Sequence, residues 1–100
     1  MRKIPDVLDN VHVGWHPLLL QLHDDLTGID DAYTVGDVKE KFGGLRVYLD
    51  TYSPETQPLI SVAEARSLTV CEFCGQPGRP RPGGWIKTKC DACVEPRKSE

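Results

Sequence analysis

A chain of 100 residues with a formal net charge of −3 has room for one small domain, burying only roughly 60 to 68% of its unfolded surface. A large enzyme fold is excluded. Hydrophobic residues at 39%, charged residues at 27% and aromatics at 7% are ordinary globular proportions, unlike those of a disordered acidic tail or a collagen-like repeat. No apolar run approaches the ~20 residues that cross a bilayer, and Met1, Arg2 and Lys3 lead into Pro5 and Asp6 rather than a secretory hydrophobic stretch. A cytoplasmic protein without a membrane partner is expected.

In chain order, Trp15, His16 and Pro17 open a helical pattern in which Leu18, Leu19, Leu22 and Leu26 recur at three- and four-residue steps, with Gly28 as its stop. From Tyr33 to Tyr52 the period becomes two. Gly43 and Gly44 form a two-residue turn, so a β-hairpin is expected there. That turn would oppose Phe42 to Leu45, Glu40 to Val47 and Val38 to Leu49 on an apolar face. The other face would oppose Lys41 to Arg46, Lys39 to Tyr48, Asp37 to Asp50 and Val35 to Tyr52. Like charges then meet twice, which is mildly unfavourable and suggests that Lys39, Lys41 and Arg46, with Tyr48 beside them, grip a phosphate or an acidic partner. The bland alternative is a solvated face on which Lys39 meets Asp50 diagonally. Glu40, aimed at the apolar side, is expected to reach water at the edge. A second helix over Pro58 to Leu68 would turn Leu59, Val62, Ala63 and Arg66 to one side.

All four cysteines fall in the last third, as Cys71-x-x-Cys74 and Cys90-x-x-Cys93 with fifteen residues between the pairs. Two residues between ligands let a tight turn aim both sulfurs at one ion, and two such turns complete a tetrahedral zinc shell. Two disulfides would need an oxidising compartment, and a redox motif would need only one pair. Four thiolates leave no open position for water, so Zn²⁺ here is expected to be structural rather than catalytic. Gly75 frees the backbone behind the first pair, Trp85 to Lys89 alternates like a strand, and Pro96 limits any helix after Cys93. A zinc ribbon is expected in preference to a treble-clef finger.

The resulting expectation is an α+β chain: a helix, hairpin and helix core over residues 1–70, a zinc ribbon over 71–93, and a flexible tail over 94–100. Residues 1–70 carry six Lys or Arg against eleven Asp or Glu, whereas 71–100 carry six against four. Arg79, Arg81, Lys87 and Lys89, with Trp85 among them, could stack a base and meet phosphates. The competing account is local, since a zinc ion with four thiolates has a formal charge of −2 that nearby cations offset. His16 and His23 share a helical side with Leu19, as packed or surface residues are expected to, while His23, Asp24 and Asp25 point in different directions and Asp37 with Asp50 lacks a closed cleft. Neither an active site nor a small-molecule substrate is therefore expected.

Val38 to Arg46 (VKEKFGGLR), Ala65 and Arg66, Cys71 to Gly75 (CEFCG) and Gly83 to Cys93 (GGWIKTKCDAC) resemble small proteins encoded by bacteria and bacteriophages, as do Gly14, Trp15, Pro17 and Leu18. The resemblance spans most of the chain. It implies a phage or prophage setting and a protein that binds and modulates a host complex, and it carries no activity with it. Two readings follow. In the first, a zinc-stabilised module engages a host protein through Lys39, Lys41, Arg46 and Tyr48; in the second, a zinc ribbon binds nucleic acid through Arg79, Arg81, Trp85, Lys87 and Lys89.

Overall fold

The computed structural model describes residues 2–51, 53–83 and 86–94. Trp85, Tyr52 and all but the first residue of the expected tail lie outside that set. The fold is a small α+β domain with two two-stranded antiparallel sheets and a carboxy-terminal cluster of four cysteines. Among the described residues no helix is long and apolar enough to cross a membrane.

A 3-10 segment, Ile4–Asn10, where no element is expected from the sequence, precedes the first long helix. Its Ile4 and Val7, with Val11 beyond it, are nonetheless part of the core. They are held there by specific bonds: the Arg2 carbonyl accepts the Val35 amide at 2.8 Å, and the Ile4 amide donates to the Tyr33 hydroxyl at 3.0 Å. Burial raises the Tyr33 pKa, so that hydroxyl stays neutral. A second 3-10 turn, Val13–Trp15, leads into α1, His16–Ile29, whose Leu18, Leu19, Leu22 and Leu26 are buried as the spacing predicted. Gly28 lies inside this helix rather than stopping it; the end comes where the Asp30 amide caps the Leu26 carbonyl at 2.8 Å.

Strands β1, Val35–Lys41, and β2, Gly44–Leu49, form the hairpin, but the turn is Phe42-Gly43 instead of Gly43-Gly44. Both turn residues have positive φ, 54° at Phe42 and 81° at Gly43, as a type I′ turn requires. For Phe42 that conformation costs roughly 1–2 kcal/mol relative to an ordinary one. Gly43 is also closely packed: a Cβ there would lie 3.3 Å from Ile86, Lys87 and Thr88, and its positive φ favours glycine.

The shifted turn changes the partners. Val38, Glu40, Leu45 and Val47 keep the apolar face, and Asp37, Lys39, Arg46 and Tyr48 keep the charged one. Val35, expected on the charged face opposite Tyr52, pairs with Leu49 and is buried, and Phe42 leaves the apolar face for the turn. Val38 now opposes Val47, Glu40 opposes Leu45, Lys39 opposes Arg46 and Asp37 opposes Tyr48. The expected pair of Asp37 with Asp50 does not form; an irregularity between Val35 and Asp37 breaks the ladder, and the Asp50 carboxylate accepts the Thr34 hydroxyl at 2.6 Å.

Helix α2, Gln57–Ser67, buries Ile60, Ala63 and Ser67, whereas Val62 and Arg66 of the expected face are exposed. The rotation has a polar cause. The outward amides of β2 need partners, and α2 supplies them: Val47 N–H donates to Glu64 Oε2 at 3.0 Å and Leu45 N–H to Ser67 Oγ at 2.9 Å. Two side-chain acceptors therefore set the helix face and close the sheet edge together.

Candidate metal centre

The first cysteine pair sits on a tight turn built by the backbone. Cys71 N–H donates to the Gln76 carbonyl at 2.8 Å, and Gly75 N–H donates to the Cys71 carbonyl at 2.9 Å. Gly75 has φ 85°, the unhindered conformation expected immediately after Cys74. Strands β3, Arg79–Arg81, and β4, Lys87–Lys89, form a short hairpin that returns the chain to the cluster. Cys90 follows β4 directly, and Cys93 rides on a four-residue helical turn, α3, Asp91–Val94. Knuckle and hairpin agree with a ribbon; a helical turn beneath the last ligand is instead the feature a treble-clef finger requires.

The four sulfurs all lie within 4.8 Å of one another, and none is in a disulfide. A metal about 2.3 Å from each sulfur of a tetrahedral shell places the sulfurs about 3.8 Å apart. Cys74 and Cys90 stand 3.4 Å apart, far longer than the ~2.05 Å of a covalent S–S bond. The donor set therefore fits a structural metal ion. Burial raises the Cys71 pKa, but the amides of Cys90, Cys74 and Phe73 aim at its sulfur and bring it down to about 6. Cys93 is pushed up to about 12, mainly by its contacts with Cys71 and Cys90. Four crowded thiols resist joint ionisation, and a bound cation removes that obstacle.

The cluster is fastened to the helical part at two places. At the first, Gly14 N–H donates to the Glu72 carbonyl at 2.9 Å and Trp15 Nε1 donates to the Val70 carbonyl at 2.9 Å. A Cβ on Gly14 would lie 2.2 Å from the Cys71 carbonyl oxygen and 2.6 Å from the Glu72 carbonyl carbon. Because these are backbone atoms, Gly14→Ala is expected to destabilise the metal-loaded protein by about 1–3 kcal/mol. Gly28→Ala, where a Cβ meets nothing within 4 Å, serves as the control and should not lower the melting temperature. Thermal melts of both variants check this.

At the second place the hairpin turn meets β4. Thr88 Oγ1 donates to the Gly43 carbonyl at 2.6 Å, while Glu40 accepts the Gly43 amide at 2.7 Å and the Lys87 ammonium at 3.0 Å. Glu40 therefore bridges the two sheets rather than reaching water, with its side chain only 18% exposed. Glu72 is fully buried: one carboxylate oxygen accepts the Thr88 amide at 3.0 Å, and the other has no hydrogen bond and lies 3.8 Å from Lys87. Burial pushes its pKa up against the pull of the Thr88 amide and Lys87. A carboxylate pointing toward an apolar face was the only sequence signal for Glu40; Glu72, between two ligands, had none.

The finger cations are engaged close at hand. Arg81 donates to the Lys89 carbonyl at 3.0 Å and pairs with Asp91 at 2.8 Å, holding the Asp91 carboxyl below its ordinary range. Lys87 pairs with Glu40, and the Lys89 ammonium lies 5.3 Å over the Phe73 ring, itself 4.3 Å from the His12 ring. Arg79 is exposed. On the other hairpin, Lys39 meets Asp37 at 3.6 Å, not Asp50, and lies 5.6 Å over Tyr48. Lys41, Arg46 and Tyr48 share that face, and among the described residues neither Lys41 nor Arg46 meets a carboxylate. His16 contacts the Val11 carbonyl at 3.2 Å and His23 contacts the Tyr33 hydroxyl at 2.5 Å, so both histidines are packing partners.

Fold and site together define a small α+β domain with a four-cysteine cluster compatible with a structural metal ion. No protein-family model, curated protein or solved structure matches the chain.

Proposed function

We propose that this chain is a non-catalytic, zinc-stabilised binding module that engages a partner protein through Lys39, Lys41, Arg46 and Tyr48. Zinc is the ion that four closely set thiolates select, and a shell with no open position makes it structural. The observation that carries the reading is the direct opposition of Lys39 and Arg46 on an exposed face, with Lys41 one step nearer the turn. Like charges so placed weaken a hairpin, and an acidic partner relieves the repulsion. The cytoplasm, where thiols stay reduced, is the setting, and the resemblance to bacterial and bacteriophage proteins makes a host complex the partner. The alternative, a nucleic-acid-binding ribbon, has less support: Arg81, Lys87 and Lys89 are engaged by Asp91, Glu40 and the Phe73 ring.

Elemental analysis should give one zinc per chain. Affinity capture from the host, using the folded zinc form, should recover a discrete partner. Reversing Lys39 and Arg46 to glutamate should release that partner while leaving the zinc content unchanged. Retained capture by the reversed variant would count against this surface, and oligonucleotide binding that disappears on substitution of Arg79 and Trp85 would favour the alternative.

A further inference from the structure

Phe42 is the most exposed large hydrophobic side chain described, at 70%, and it occupies a backbone position with φ 54°. Asparagine or glycine would suit that position better, and a ring standing in water adds nothing to the core. Fold stability therefore does not account for Phe42. Its mount is rigid, because Gly43 behind it bonds to both Thr88 and Glu40. A ring presented on a fixed turn loses little freedom when it binds.

The surroundings of the ring are specific. The Lys41 ammonium lies 5.7 Å from its centroid. Leu68, 40% exposed, flanks the turn: a Cβ on Gly44 would lie 3.4 Å from Leu68 Cδ2 and 3.3 Å from Arg46 Nη1. Phe42 and Leu68 thus stand at the same end of the hairpin, Phe42 beside Lys41 and Leu68 at Gly44 with Arg46, and Lys39 lies opposite Arg46.

We infer that the hairpin tip is an anchor for an acidic peptide segment, in which an apolar side chain seats on Phe42 and Leu68 while flanking carboxylates meet Lys41, Arg46 and Lys39. The inference rests on the proposed partner-binding role of this face and specifies what the partner presents. A buried aromatic beside an arginine is the composition that carries most of the energy of protein interfaces. Single-stranded nucleic acid fits less well. The chain carries a net charge of −3, which opposes a long polyanion more than a short segment with a few carboxylates. Tyr48 lies four residues beyond Gly44, roughly 14 Å along the strand, so the two exposed rings offer neighbouring bases no common stack.

The test uses the full zinc-loaded chain and two fluorescein-labelled peptides, one with a leucine between glutamates and the other with alanine in its place. Fluorescence anisotropy should show the leucine peptide binding at least about tenfold more tightly, with Phe42→Asn erasing that preference. Asparagine tolerates the left-handed turn, so the melting temperature of this variant should hold or rise. Equal affinity for the two peptides, no binding of either, or tighter binding of an oligothymidylate of the same charge overturns the inference. If Phe42→Asn is silent while charge reversal still abolishes partner capture, the anchor fails and the wider reading survives. If charge reversal is silent as well, both fail.

Discussion

Removing the metal should unfold residues 71–94 and leave the helical part standing, with protease cleavage concentrated beyond Val70. Structural zinc sites contribute on the order of 10 kcal/mol at neutral pH, which rivals the whole stability of a small domain. The local alternative is poor: β3 and β4 are three residues each, α3 is four, and no described residue of α3 is buried. Without the ion, little apolar surface remains to hold this segment together. The same result is expected for Cys71→Ser, since Cys71 is fully buried and its sulfur belongs to the four-cysteine cluster. Limited proteolysis with and without a chelator reads the effect, and unchanged resistance of the metal-free chain would contradict it. Acidification should act in the same direction, because protons compete with the ion for thiolates and affinity falls as pH falls. A second consequence reaches beyond the finger. Thr88 and Lys87 hold the hairpin turn through Gly43 and Glu40, so amide exchange at Gly43 should speed up when the metal leaves.

What could be read in advance was whatever depends on local spacing. Two C-x-x-C steps place four sulfurs in one cluster because ligand geometry is short-range, and the leucine repeat of α1 reports its buried face directly. The failures share a cause, since each was decided by a distant partner. Gly43-Gly44 looks like the turn, whereas the chain reverses at Phe42-Gly43, where Gly43 is bonded to Thr88 and Glu40. On α2 the apolar positions favoured one face, but Glu64 and Ser67 had to reach the β2 amides, and that requirement rotated the helix. Ile4, Val7 and Val11 do follow the i, i+3, i+7 steps of a helical face, and bonds from their segment to Tyr33 and Val35 fasten it to the core. Polar partners far apart in sequence are invisible to periodicity.

Trp15→Ala should be the most damaging substitution outside the cysteines. The side chain is fully buried at the start of α1, and its indole N–H donates to the carbonyl of Val70, the residue before the first ligand. Truncating a buried tryptophan costs about 3–5 kcal/mol, and the unpaired Val70 carbonyl adds roughly 1–3 more where water cannot reach it. For a domain of this size each kcal/mol lowers the melting temperature by about 4–8 °C, so a fall beyond about 12 °C is expected. Trp15→Phe separates the two contributions, because it keeps much of the ring packing and loses only the indole donor. The alanine variant should also bind metal more weakly than the wild type, since Val70 positions the knuckle. A loss below about 1 kcal/mol, or unchanged metal affinity, would mean that the cluster does not depend on this contact. Gly14 and Trp15 grip the same strand of the knuckle from consecutive positions, so Gly14→Ala and Trp15→Ala together should cost less than the sum of their separate effects. Once the first substitution has lifted the knuckle from the helical core, the second has little left to break.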